Sequence, residues 1–156
     1  MTNKSKKRFN IRTFVLGSNH GQLLQAYGMK RLIEGLFPND EVLHELHHNH
    51  LIKEIAVHCR KGAFVKLVSL IYWWLKLIKF TMSSSKRDIT IFGADTIWMK
   101  DHPIAPNDQF YFGHDIKSGK LCSFSASNAG SAYDVGDSII GNQIETFEFL
   151  GVRDCS

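Results

Sequence analysis

The chain has 156 residues, 44% apolar and 22% charged, which gives one domain enough apolar mass for a core and excludes both a disordered chain and a two-lobed enzyme. Nineteen Lys and Arg against fifteen Asp and Glu leave a net +4, a bias toward anionic partners that is too weak for a dedicated nucleic-acid binder. Cys59, Cys122 and Cys155 are odd in number and lie far apart, which argues against a disulfide framework or a zinc site and for a reducing, cytoplasmic setting.

Residues 1–10 read as a basic tail (Lys4, Lys6, Lys7, Arg8), and the apolar core of a leader peptide, about 7–15 residues, does not follow it. The domain is expected over 11–156. Ile11–Leu16 (IRTFVL) is rich in β-branched and aromatic residues and stops at the turn formers Gly17–Gly21, so it predicts a strand ending in a tight loop. From Gln22 the apolar residues Leu23, Leu24, Tyr27, Leu32 and Ile33 fall near helical spacing until Phe37-Pro38-Asn39, and Glu41–His47 (EVLHELH) predicts a second strand. The first fifty residues thus form a βαβ unit with a parallel pair.

Leu51–Met82 predicts a long helix or a helix pair broken near Lys61-Gly62. Its second half is the most apolar part of the chain, yet about 18 residues interrupted by Lys66, Lys76 and Lys79 do not suit a membrane span. At about 100° per residue Lys66, Ser69, Tyr72, Lys76 and Lys79 share one arc, and Leu67, Leu70, Ile71, Trp74, Leu75 and Ile78 the opposite one. Three readings stay open: the segment packs on the sheet, it lies on an anionic membrane surface through residues 64–80, or it is left bare by an absent partner.

Asp88–Phe92 (DITIF) predicts a buried strand ending at Gly93-Ala94-Asp95, and Lys100–Ser118 a loop with a short strand at Gln109–Phe112. Lys120–Ser125 predicts a strand that ends in Ala126–Gly130, Asp137–Phe149 a helix, and Gly151–Asp154 the start of a further element. The fold class is therefore α/β: a Rossmann-like, three-layer domain with a mainly parallel sheet. Such sheets bind ligands outside the carboxyl ends of their strands.

That rule selects the candidate residues. The loop before Gln22 feeds a helix N-terminus, where free N–H groups can hold an anion, and His20 there is either a proton donor or a solvated loop histidine. Asp95 follows a buried strand and a glycine; it would meet ligand at the sheet edge or cap the turn through the N–H of Thr96 or Ile97. Trp98 would stack on a sugar face or, as is commoner so near a strand, belong to the core. Ser125 and Ser127 would bind a hydroxyl or phosphate, or merely permit close backbone approach. His44, His47, His48 and His50 are dense, but strand alternation puts His47 opposite His44 and His48, and no thiol or carboxylate at a standard spacing completes a metal site.

Asn19-His20-Gly21-Gln22-Leu23-Leu24-Gln25-Ala26-Tyr27 resembles the N-x-G-x-x-L-Q-A-Y signature with which polysaccharide pyruvyl transferases open their first helix. Gly93-Ala94-Asp95-Thr96-Ile97-Trp98-Met99 is similar to that family's G-S-D-Q-V-W-N element, and Ser123–Ser127 with Gly130 to its S-Y-A-A-S-x-G. Val152-Arg153-Asp154 resembles its mid-protein S-V-R-E, so the resemblance runs from Ile11 to the end and covers the family's first half. Ala94, Thr96 and Met99 stand where the family has Ser, Gln and Asn; Ala94 and Met99 cannot make the side-chain hydrogen bonds that Ser and Asn could, and one extra residue precedes Gly130.

The resemblance implies the N-terminal lobe of a two-lobed, GT-B-like transferase whose second lobe lies outside this chain. It implies transfer of a pyruvyl group from phosphoenolpyruvate, a substrate rather than a cofactor, to a sugar hydroxyl of a surface polysaccharide or its precursor. On this reading Asp95 and His20 carry proton transfer, while Asn19, Gly21, Gln25, Gly93, Trp98, Ser125, Ser127 and Arg153 bind substrate, with no metal. The implied partners are the acceptor polysaccharide, phosphoenolpyruvate, an anionic membrane surface and either a second lobe or another copy of the chain, with no nucleic acid. The alternatives are a non-catalytic relic, a membrane-surface binding module, or the lobe of a related glycosyltransferase.

Overall fold

The computed structural model describes residues 5–15, 20–46, 80–81, 87–100, 109–116, 119–130 and 138–153, and the single positions 52, 56, 65, 68, 71, 72 and 75. Its strands are β1 (Arg8–Arg12), β2 (Glu41–Glu45), β3 (Phe80–Thr81), β4 (Ile89–Gly93), β5 (Lys120–Ala126) and β6 (Phe149–Val152), and its described helices are α1 (His20–Leu36), α2 (Gln109–Phe112) and α3 (Ser138–Ile144). All strand pairs are parallel, in the order β3-β2-β1-β4-β5-β6. The chain leaves β1 toward one edge and returns to the other side of β1 at β4, which is the Rossmann-like, doubly wound order. Its topological switch point lies between β1 and β4.

Strand alternation sorts the side chains onto two faces. Phe9, Ile11 and Val42 meet Met29 and Ile33 of α1, with Ile89 and Ile91 packed against them, so α1 covers one face. The other face carries Phe92 and Leu121 beneath Phe14, Ile97, Trp98, Phe110, Tyr111, Phe112 and Ala126, with Ile144 and Phe147 at its margin.

Several boundaries differ from the sequence expectation. β1 starts at Arg8 and ends at Arg12, so Arg8, Phe9 and Asn10 belong to the sheet rather than to the basic tail. The reason is ionic: Arg8 Nε donates to Glu41 at 2.8 Å, and the fully buried Arg12 lies within 3.2 Å of the Glu45 carboxylate, so the polar side of this strand finds partners on β2. Residues 109–112 form a helical turn instead of a strand. Phe110, Tyr111 and Phe112 are all buried, which one turn over an apolar sheet face allows and an alternating strand does not. Gly113, at φ 78°, closes the turn: its N–H donates to Phe110 O and that of His114 to Gln109 O, both at 3.2 Å, a Schellman arrangement.

The last helix stops at Ile144 because residues 145–147 fold back in turns, which brings Glu148 N within 2.8 Å of Leu121 O and starts β6 where helix was expected. β3 likewise lies inside the span expected to be helical. Ile52, Ala56, Val65, Val68, Ile71, Tyr72 and Leu75 are helical, and apart from β3 the rest of the span expected to be helical, 51–82, lies outside the described residues. Among the described residues, no helix is long and apolar enough to cross a membrane.

Candidate functional site

Two of the four family-like segments, Gly93–Met99 and Ser123–Gly130, meet at the carboxyl edge of the sheet. Ala94 N donates to Phe124 O at 2.9 Å, Ser127 N to Asp95 O at 3.1 Å, and Trp98 N to Ser127 O at 3.1 Å. The loop after β4 and the loop after β5 are thus laced together, and Arg153 N, donating to Ala126 O at 3.0 Å, ties the end of β6 to them.

Backbone strain collects in the same place. Among the described residues, those other than glycine with positive φ are Ala94 (65°), Ser125 (55°) and Ala129 (53°), beside Gly93 (137°) and Gly130 (72°). Each strained position costs about 1–3 kcal/mol and persists where surrounding structure imposes it, which is why such residues gather at ligand sites. At Ser125 the cause is local: the β5–β6 register shifts between Ser123 and Ala126, an irregularity that re-aims the end of the strand.

Asp95 divides its two oxygens between the two roles foreseen for it. Oδ1 accepts the Thr96 N–H at 2.7 Å and caps the turn. Oδ2 is buried with no hydrogen-bond partner among the described residues, on a side chain only 9% exposed. Thr13, directly after β1 and 3% exposed, likewise buries an unpartnered Oγ1. These two atoms flank the switch point, one from β1 and one from β4. An unpaired buried polar atom costs about 1–3 kcal/mol.

The remaining candidates divide clearly. Gly93 permits a close approach of the two loops: a Cβ there would lie 2.0 Å from Phe124 O. Ser127 spends its hydroxyl on the Ala129 N–H at 3.0 Å, and Asn128 accepts from Gly130 N at 3.0 Å, so both shape the loop. Trp98 belongs to the core, which corrects its assignment as a sugar platform: it is buried, its Nε1 donates to Tyr111 O at 2.9 Å, and its ring stacks on Phe112 at 5.9 Å. His20, Gly21 and Gln25 are exposed on the first turns of α1, the Arg153 side chain is exposed, and Asn19 lies outside the described residues. His44 is fully buried under α1, His47, His48 and His50 lie outside the described residues, and among the described residues no three His, Cys, Asp or Glu gather as a metal site.

Sequence reading missed Thr13 and a buried charge network next to it. Arg12 Nη1 and Nη2 donate to the two carboxylate oxygens of Asp115 at 2.6 and 2.7 Å, and Nη1 also to Phe110 O at 2.7 Å. Its guanidinium lies 3.8 Å from the centre of the Phe110 ring. Glu45 accepts from Arg12, from Asn10 Nδ2 at 3.1 Å and from both Nε and Nη2 of Arg87. Burial alone would raise the Glu45 pKa; the Arg87 hydrogen bonds and the Arg12 charge outweigh it and hold the carboxyl below its ordinary range. Asp115 is lowered in the same way by Arg12. Two cations face two carboxylates, so the cluster is a neutral brace that fixes 109–116 to the sheet, with no charge left over for an anionic ligand. The signal was present as a common period of four: Arg8 and Arg12 on one strand, Glu41 and Glu45 on its neighbour.

A cavity of about 450 Å3 opens at the opposite, amino edge between Lys7, Phe9, Phe37, Asp40 and Ile89, remote from the strained loops. The strand order and the parallel pairing define a doubly wound, Rossmann-like α/β domain. No family model, curated protein or solved structure matches the chain.

Proposed function

We propose that the chain is the acceptor-side lobe of a polysaccharide pyruvyl transferase-like protein, moving a pyruvyl group from phosphoenolpyruvate to a sugar hydroxyl. The observation that supports this reading is the lacing of Gly93–Met99 to Ser123–Gly130 at the carboxyl edge, with the buried Oδ2 of Asp95 left unpartnered beside it. Both segments are among those whose residues resemble the family, and they are remote in sequence from the Asn19–Tyr27 motif at the start of α1.

In this reading Asp95 Oδ2 accepts the proton of the attacking sugar hydroxyl while Oδ1 stays anchored to Thr96, so the base is oriented before substrate arrives. An acid protonates the methylene carbon of phosphoenolpyruvate, the sugar oxygen bonds to C2, and a second hydroxyl displaces phosphate to close the ketal. His20, exposed at the start of α1, serves as the acid, and Arg153 offers a guanidinium to the departing phosphate.

The test follows phosphate release from phosphoenolpyruvate with a pool of acceptor glycans, by this chain and by the longest reading frame that contains it. Saturation-transfer NMR of the chain with the same glycans runs in parallel. Glycan contact that Asp95→Asn weakens, with release at least 100-fold lower in that variant, is the expected result. Absence of both release and glycan contact overturns the reading.

A further inference from the structure

We propose that the helical surface bearing Val65, Val68, Ile71, Tyr72 and Leu75 docks on an anionic lipid bilayer. All five positions are helical and all five side chains are exposed, from 37% at Ile71 to 81% at Val65. At 100° per residue they fall within an arc of about 120°. This is a contiguous apolar stripe directed at solvent, which isolated surface apolar residues do not form. It also departs from the sequence expectation, in which Tyr72 lay with the lysines and only Ile71 and Leu75 lay on the apolar side.

The sequence around the stripe selects the occupant. Residues 55–86 carry six Lys and Arg and no Asp or Glu. That exceeds the whole chain's net +4, so the remainder of the protein is net acidic. Lys76 follows Tyr72, and Lys79 follows Leu75, at a spacing of four, and Trp73 and Trp74 sit in the middle of the run. Apolar side chains, interfacial aromatics and lysines within one short stretch of sequence are what an anionic headgroup surface accommodates: apolar groups enter the acyl boundary and ammonium groups meet phosphate. A partner protein surface would need matching acidic side chains opposite an apolar strip, whereas a bilayer containing phosphatidylglycerol supplies both at once. This inference does not depend on the pyruvyl transferase reading.

The experiment is flotation of the intact chain with vesicles of phosphatidylcholine alone and of phosphatidylcholine with about 30% phosphatidylglycerol. The expected result is capture by the anionic vesicles at least tenfold stronger than by the neutral ones. K76Q/K79Q should weaken it by about 25-fold, since each lysine contributes roughly a factor of five. V65S/L75S, which alters only exposed positions and is checked for an unchanged thermal midpoint, should abolish it. Equal capture by both vesicles, no capture by either, or binding unchanged in V65S/L75S overturns the proposal. So does a lipid-free dimer that V65S/L75S dissociates, because the stripe would then be an interface between copies.

Discussion

Two glycines show how differently one residue type is used. Gly93 adopts φ 137° with its missing Cβ aimed at Phe124 O, 2.0 Å from where that atom would sit, and it does so where the two motif loops cross. Gly28 lies inside α1 with nothing within 4 Å of a built Cβ. Gly93→Ala should therefore destabilise the chain by about 3 kcal/mol or more, while Gly28→Ala should stabilise it by about 0.5–1 kcal/mol, because alanine favours the helix. Urea denaturation of the two variants checks both signs. His44 makes a residue-scale prediction of another kind. Burial under α1 pushes its pKa down to about 4, with the backbone of Ala26 and the charge of Glu34 opposing in part and the Lys30 charge reinforcing. The unfolded chain takes up this proton near pH 6.5 and the folded one only near pH 4, so the His44 contribution is intact above about pH 6.5 and is lost as pH falls through that window. The loss is about 3 kcal/mol at most. Replacing His44 by Phe should flatten the pH dependence of the melting temperature between pH 7 and 4.5.

At the scale of elements, the brace between β1, β2 and the turn after α2 decides how firmly residues 109–116 hold to the sheet. Glu45→Gln leaves Arg12, fully buried, with a weakened partner and should cost about 3–5 kcal/mol, whereas removing both charges together in Arg12→Met/Glu45→Leu should cost less than either single change. A double-mutant cycle in urea reads this directly. Because the Glu45 and Asp115 pKa values are lowered in the folded state, their contribution is present above the ordinary carboxylate range. It is lost as pH falls from the ordinary carboxylate range through their lowered folded values. The same brace explains what was legible in the sequence. A β-branched run closed by Gly93 announced β4, a short apolar run ending in small residues announced β5, and helical periodicity with Phe37-Pro38 announced α1, because in each case apolar burial decided the structure. β1 was read three residues late because Arg8, Asn10 and Arg12 face an ionic layer, and hydropathy is blind to charges that neutralise each other. Asp95 was legible because a carboxylate after a buried strand and a glycine has few places to go. Thr13 was not, because its importance comes from the switch point between β1 and β4, a property of strand order.

The molecule as a whole presents apolar surface at one end of its sheet. β6 is the terminal strand beside β5, and its outer edge has no hydrogen-bonded neighbour among the described strands. Phe149, Leu150 and Val152 on it are 60%, 47% and 48% exposed, and Phe124 of β5 is exposed as well. A terminal strand with free N–H and C=O groups and apolar side chains is a template for pairing, since a second strand there satisfies backbone groups and buries apolar area together. Natural edges are blunted by lysine, proline or a bulge; here the irregularity at Ser123–Ala126 lies on the inner side of β6 and leaves the outer side flat. Concentration-dependent association through β6 follows, and it should appear in sedimentation velocity as a rising average mass between micromolar and hundred-micromolar protein. Leu150→Lys places a charge on the pairing strand at a half-exposed position, so it should shift the distribution toward monomer while changing stability by less than about 0.5 kcal/mol. If Leu150→Lys associates like the parent chain, the edge is not the contact. The helical stripe at Val65–Leu75 then becomes the surface to test, and V65S/L75S in the same sedimentation series distinguishes the two.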